Sequence, residues 1–299
     1  MRHWLKKELE HGHHYLLDAL IVILVVIIFI LADFFIISLR PLNEEAFEEN
    51  QTEVSKNEKK EQERDFIVIE KGEKVFLPIL NFHHIDKAPS GASAVTRSFY
   101  LEPADFEILI QAIINNDYEP VFLSEIVDYL SRGVLPAQKI MALTFDDGNI
   151  NFYTNAWPIL QKYQVKSNIY IMTGVGGPNY LSREQIAELD KSGLVEVGSH
   201  TIWHPKLTRI KEDEAFKELT ESREFLEDFL DKKIAVLAYP FGLYNERIKE
   251  LTEKAGYLAG LTFDQEAWQD PGDLLELKRI SVYPGLNVIR FLEKLEQGR

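Results

Sequence analysis

Two short stretches of this sequence hold residue types that do chemistry at spacings that let them act together. The first, Thr144–Gly148 (TFDDG), follows the apolar run KIMAL and sets two carboxylates side by side where a buried strand would end. The second, Ser199–Pro205 (SHTIWHP), holds His200 and His204. An i, i+4 spacing puts two imidazoles on one face of a helical turn, a geometry suited to gripping one divalent ion. Alone, such a pair is as readily a local hydrogen-bonded pair, and DDG alone is a common turn with an Asx cap. Together they supply more. Two histidines and one aspartate make three protein ligands and leave a position open for water, as hydrolytic metal sites require. The second carboxylate then has a use as a base that takes a proton from an activated water, its neighbour's charge being neutralised by the ion. Consecutive side chains on a strand point oppositely, so the backbone must turn here, and Gly148 permits the turn.

Such residues need a scaffold that ends several strands on one face. From Phe66 the pattern is globular: FIVIEKGEKVFLPILNFHHI reads as a strand, a turn at Lys71–Gly72 and a second strand ending in His83 and His84. A helix follows, with Pro103 near its start. Strand-like KIMALTF, SNIYIMTG, LVEVGSH, IAVLAYP, LAGLTF and LELKRISV then alternate with helical segments, among them NAWPILQKYQ, a helix with Ser182 as N-cap three residues before Gln185, and a closing NVIRFLEKLEQ. Short apolar strands between amphipathic helices mean an α/β fold, either a wound parallel sheet or a barrel; periodicity does not separate the two. In both, chemistry belongs where strands end and loops begin. Asp146 and Asp147, His200, the pair His83 and His84, and the stretch AYPFG (Ala238–Gly242) all stand at such ends.

With these residues in view, the chain resembles the polysaccharide deacetylase family, carbohydrate esterase family 4, also called the NodB homology domain. TFDDG matches its first motif, SHTIWHP its second, and AYPFG is similar to its third, over about Pro78 to Val282. The resemblance implies a distorted (β/α) barrel of about seven strands and metal-dependent removal of N-acetyl groups from a glycan. It implies Asp146 as the base and Asp147, His200 and His204 as ligands of a divalent metal, usually zinc. It also implies an acetyl pocket lined by the loop Tyr239, Pro240, Phe241 and Gly242, with a backbone N–H helping to hold the oxyanion. Trp203, Tyr239 and Phe241 could stack on sugar rings, or simply pack.

Three features depart from the family pattern. The third motif has Ala238 where an arginine usually pairs with the catalytic aspartate; Arg279, in LKRISV, is the candidate replacement, although strand arginines more often face solvent. FDQEAW (Phe263–Trp268) is a poor copy of the fourth motif. No histidine follows His204, so the usual late LxxH motif is missing; Leu80–His83 supplies one ahead of the first motif, as in the circularly permuted branch that includes poly-N-acetylglucosamine deacetylases. His83 is then the expected acid for the leaving amine, with His84 pointing elsewhere if the strand is regular.

The rest of the chain sets the context. Leu16–Leu39 is apolar enough to span about 36 Å as a helix, and no small-x-small cleavage site follows it. Arg2, Lys6 and Lys7 precede it and an acidic stretch follows, so the positive-inside rule puts residues 1–15 in the cytoplasm and the rest outside the cell. Residues 40–65 read as a charged stalk and 66–299 as the catalytic domain. A formal charge of −15 argues against a nucleic-acid partner, and the absence of cysteine excludes disulfides, thiolate metal sites and cysteine nucleophiles. The expected function is a membrane-anchored deacetylase of an extracellular N-acetylglucosamine polysaccharide, either peptidoglycan or poly-N-acetylglucosamine. The alternatives are a non-catalytic glycan-binding or scaffold protein on the same fold, and a metal amidohydrolase for another acyl amide. Oligomeric state is left open.

Overall fold

The computed structural model describes residues 64–296. The expected cytoplasmic tail 1–15, membrane span 16–39 and nearly all of the stalk 40–65 lie outside the described residues. Among the described residues no helix is long and apolar enough to cross a membrane.

Seven apolar runs become seven strands: β1 (Ile79–Phe82), β2 (Ile140–Phe145), β3 (Ser167–Ile171), β4 (Val195–Ser199), β5 (Val236–Ala238), β6 (Ala259–Leu261) and β7 (Ile280–Ser281). They lie side by side in the order β6-β5-β4-β3-β2-β1-β7, and every neighbouring pair is parallel. One stretch touches both edges of this sheet. Ile280–Ser281 pairs with Leu80–Asn81 of β1, while Leu277 bridges to Leu261 of β6. The sheet thus curls into a distorted barrel, a choice that long-range pairing makes and periodicity cannot.

Helices α1 (Pro103–Asn115), α2 (Leu123–Ser131), α3 (Trp157–Tyr163), α4 (Arg183–Lys191), α5 (Glu212–Leu230), α6 (Glu246–Lys254) and α7 (Val288–Glu296) connect or flank the strands. α1 begins at Pro103, whose missing N–H is harmless there, and buries Phe106, Leu109, Ile110 and Ile113 at helical spacing. Ser182 caps α4 as expected, its hydroxyl accepting from Gln185 N while the Gln185 side chain accepts from Ser182 N. Three elements differ from the sequence reading. The expected second strand is split into Val75–Phe76, β1 and His84–Ile85, with Pro78 unable to donate between the first two pieces. NAWPILQKYQ opens as a π-helical turn over Phe152–Ala156 before α3, just ahead of Pro158, which cannot donate to the ladder. Helix α2 is additional to the elements read from the sequence, although Leu123, Ile126, Val127 and Leu130 recur at helical spacing opposite the polar Ser124, Glu125 and Asp128.

Strand alternation decides what faces the interior. On β2, Met141, Leu143 and Phe145 join the cluster that the flanking helices cover, while Ile140 and Ala142 join a second cluster with Leu77, Ile79, Tyr170 and α2. On β1, Leu80 and Phe82 go to the first cluster and Ile79 to the second. The same parity carries Thr144 and Asn81 inward on β2 and β1, and Asp146 and His83 inward just past the ends of those strands.

Candidate active site

Asp146 arrives at the end of β2 on its inward face and is fully buried. Arg279 meets it there, Nη1 donating to Oδ1 and Nη2 to Oδ2, each at 2.8 Å, and Asn81 Nδ2 adds a bond to Oδ2 at 3.1 Å. The arginine is itself completely buried, its Nε donating to the Thr262 carbonyl (2.9 Å) and Nη1 also to Thr144 Oγ1 (3.3 Å). Burial alone would raise the Asp146 pKa; the Arg279 guanidinium, aided by His200 and His83, more than offsets this and holds the carboxyl well below the usual carboxylate range. The surface placement usual for a strand arginine does not hold here. Arg279 points inward because its neighbour Ile280 is in register with Leu80 at the edge of the barrel, and a buried guanidinium persists only beside a carboxylate.

The next residue goes elsewhere. Asp147 has φ 73° and Gly148 φ 68°, so the turn begins one residue earlier than Gly148. It aims Asp147 Oδ1 at two imidazoles, 3.5 Å from His200 Nε2 and 3.8 Å from His204 Nε2. His200 follows β4, and its Nδ1 donates to the Ala238 carbonyl (2.7 Å) at the end of β5, which turns Nε2 toward Asp147. The two histidines do not share a helical turn: Ser199–Pro205 is strand end and loop, with Thr201 (φ 65°) and His204 (φ 57°) in left-handed backbone. Those two reversals, rather than helical periodicity, bring the rings edge to face at 4.6 Å. The donor atoms of Asp147, His200 and His204 all lie within 4.8 Å of one another. Ligands about 2.0–2.1 Å from a tetrahedral ion stand about 3.3 Å apart, so a small contraction of this trio would grip one. Protonation suits two of the three ligands: burial alone would lower the His200 pKa, but the Asp146 and Asp147 carboxylates raise it, so an ion must displace a proton from its Nε2. Burial, reinforced by His200, lowers His204 to about 4, leaving it neutral, and His200 holds Asp147 ionised against its burial.

His83 leaves the end of β1 on the inward side, its ring 4.7 Å from Phe99 and 5.7 Å from Phe263. Burial holds its pKa below the usual value, while Asp146 and Asp147 pull the other way. His84 turns outward, stacks on Tyr100 at 4.3 Å and shares a 3.0 Å bond between its Nδ1 and Asn151 Nδ2. At the third motif, Phe241 is 45% exposed at φ 60°, with its ring 4.4 Å from His204 and the Lys206 ammonium 5.1 Å from its centre. Gly242 must be glycine, because a Cβ there would sit 2.6 Å from that of Phe263, at φ 64°.

The family model described as polysaccharide deacetylase matches residues 134–260. The matched stretch carries both Thr144–Gly148 and Ser199–Pro205. A poly-β-1,6-N-acetyl-D-glucosamine N-deacetylase of Staphylococcus aureus is 28% identical, over 63% of this chain and 72% of its own. The Streptococcus pyogenes deacetylase PplD, solved in complex with acetate, has 28% identity and a TM-score of 0.68, covering 75% of this chain and 99% of that one. BC0361, a polysaccharide deacetylase from Bacillus cereus, has 27% identity and a TM-score of 0.65, covering 75% and 69%.

In this domain the structure gathers Asp146, Asp147, His83, His200, His204, Arg279 and Phe241 at one end of the barrel. Tyr239 is not among them. It is fully buried, stacked on Tyr244 at 5.5 Å and pressed against Gly260, where a Cβ would lie 2.6 Å from its ring. It packs under the site and cannot stack on a sugar. Pro240 is buried too, whereas Trp203 is 64% exposed. Three site neighbours escaped the sequence reading: Asn81, Thr144 and Phe263, whose ring lies 4.9 Å from the Arg279 guanidinium carbon. Asn81 and Thr144 left a faint signal, as lone polar residues on the inward parity of apolar strands. Phe263 left none, and the acids of FDQEAW turn away: Asp264 accepts from Tyr244 (3.0 Å) and Glu266 pairs with Lys278.

Proposed function

We propose that this deacetylase is metal-dependent and removes N-acetyl groups from an N-acetylglucosamine polysaccharide. Residues 16–39 anchor it in the cell membrane, with the catalytic domain outside. The observation that carries the reading is the convergence of the Asp147, His200 and His204 donors beside a carboxylate locked by Arg279. That pairing also removes the main ground for a non-catalytic scaffold, since the arginine absent from the third motif is supplied from the opposite edge of the barrel.

A divalent ion held by Asp147, His200 and His204, with zinc the family's usual choice, would supply Lewis-acid activation of water and of the acetamide carbonyl. The chain's own residues do the rest. Asp146 is ionised at any physiological pH, and its Oδ1 accepts only from Arg279 while Oδ2 accepts from both Arg279 and Asn81. Oδ1 is therefore the atom with a lone pair free to take the proton of the attacking water. The N–H groups of Tyr239, Gly242 and Leu243 are bonded to carbonyls and Pro240 has none, which singles out the Phe241 N–H as donor to the developing oxyanion. His83, just past the end of β1, gives the proton that the departing amine needs. Acetate in the complex of the S. pyogenes relative is the product such a reaction would release.

The test is acetate release from poly-N-acetylglucosamine oligomers and from peptidoglycan, with chelation and zinc add-back. The reading expects release that stops on chelation, returns with zinc and is lost in Asp146→Asn. Zinc-loaded protein that frees no acetate from either glycan would overturn it. Preference for the oligomers would align the chain with its S. aureus relative.

A further inference from the structure

The loop that holds His200 and His204 is fastened from outside the catalytic group. Left-handed backbone at Thr201 is costly for a β-branched residue, so other bonds must hold it. Part of that hold comes from the loop after β3. Thr173 N donates to the Thr201 carbonyl (3.1 Å) and Gly174 N to the Ile202 carbonyl (2.9 Å). Gly174 admits no side chain, because a Cβ would lie 2.7 Å from Ile202 and 2.8 Å from the Trp203 ring.

These bonds satisfy carbonyls. The N–H groups of Ile202 and Trp203 are both taken by one oxygen, Glu218 Oε2 on α5, each at 2.9 Å. Successive N–H groups converging on one anion form a nest, a backbone shape that commonly receives anionic ligands. Here the anion belongs to the protein, and it grips the middle of the loop between the two imidazoles. A second tie, Ser222 Oγ to Ser199 Oγ at 2.7 Å, holds α5 beside the residue before His200. Inside the loop, His204 N donates to Thr201 Oγ1 (3.1 Å).

We infer that Glu218 is a positioning residue for the metal: by clamping the Ile202 and Trp203 amides it sets the spacing of His200 and His204, and with it the site's affinity for a divalent ion. This rests on the metal reading above. Glu218 is not one of the three ligands and acts only through the loop, with charge-assisted bonds of the stronger kind.

The test is zinc affinity of the full-length protein, measured by competition with a chromophoric chelator, alongside melting of the metal-free form. Glu218→Ala should weaken zinc binding about 10–100-fold, the usual effect of losing a group that orients metal ligands. Glu218→Gln keeps a neutral acceptor and should recover part of the loss; it carries the test if the alanine variant does not fold. Glu221→Gln removes the same charge from a more exposed position on α5 that pairs with Lys217, and should bind zinc like wild type. A tie that served only the fold would lower the melting temperature and leave zinc affinity unchanged. If both Glu218 variants bind zinc within twofold of wild type while Asp147→Ala does not bind it, the inference falls and the metal reading stands. A loss in Glu221→Gln equal to that in Glu218→Gln would also overturn it, by reducing the effect to bulk charge. Wild type that binds zinc no better than Asp147→Ala would sink the metal reading and the inference together.

Discussion

Asp146 and Asp147 are neighbours in the chain and opposites in the molecule. Asp146 continues the inward parity of β2, is fully buried, and takes its partner Arg279 from 133 residues away. Asp147 leaves the strand by a left-handed turn, is partly open to solvent, and faces two histidines four residues apart on a loop built of further left-handed turns. The first half of the site is rigid because a strand register and a buried ion pair dictate it. The second is rigid only because loop bonds, the Glu218 clamp among them, hold an otherwise unfavourable backbone. One carboxylate is thereby kept charged and ready for proton transfer, and the other is offered to a cation.

The sharpest way to break this contrast is to substitute each aspartate. Asp146→Asn should lower acetate release by about 10²–10⁴-fold while keeping one bound zinc, and Asp147→Ala should lose zinc along with activity. Equal zinc loss in both variants, read by metal analysis after dialysis, would erase the division of labour. Next in size, Arg279→Met leaves a buried carboxylate unpaired and should destabilise the domain by about 3–5 kcal/mol in denaturant titrations. Combining it with Asp146→Asn should restore much of that loss; strictly additive effects would show that the pair is not coupled.

His83 and His84 test the parity on the other side of the interior. His83→Ala should cost about 10²-fold in turnover and His84→Ala only a few-fold, and the reverse order would mean that β1 is read in the wrong register. The smallest effect concerns pH. The folded Asp146 carboxyl lies below its ordinary 3.8, so its contribution to stability is present above about pH 4 and is lost as pH falls toward the folded value. Thermal melts between pH 3 and 7 should therefore show an acid limb, at most about 1.4 kcal/mol per pH unit from this group, that is flatter in Asp146→Asn.

Much of the domain was legible along the chain. Each of the six strand-like runs after α1 contains a barrel strand, and Pro103 and Ser182 mark helix starts, because apolar periodicity and capping are local properties. The metal-ligand trio was legible as residue types, although the helical spacing offered for His200 and His204 was the wrong reason; left-handed φ values at Thr201 and His204 leave no pattern in a sequence. Tyr239 looked like a sugar platform because aromatic character says nothing about which side of a loop is covered.

Sequence by itself determined which residues could bind a cation or move a proton, and that helices and parallel strands would alternate beneath them. Only the tertiary structure decided that the sheet curls, that Arg279 replaces an arginine missing from the third motif, and that His83 rather than His84 looks inward. The reason is physical. Side-chain direction follows from strand register and from the sign of φ, and both are set by contacts between residues more than a hundred positions apart or by turns whose residues carry no distinctive code.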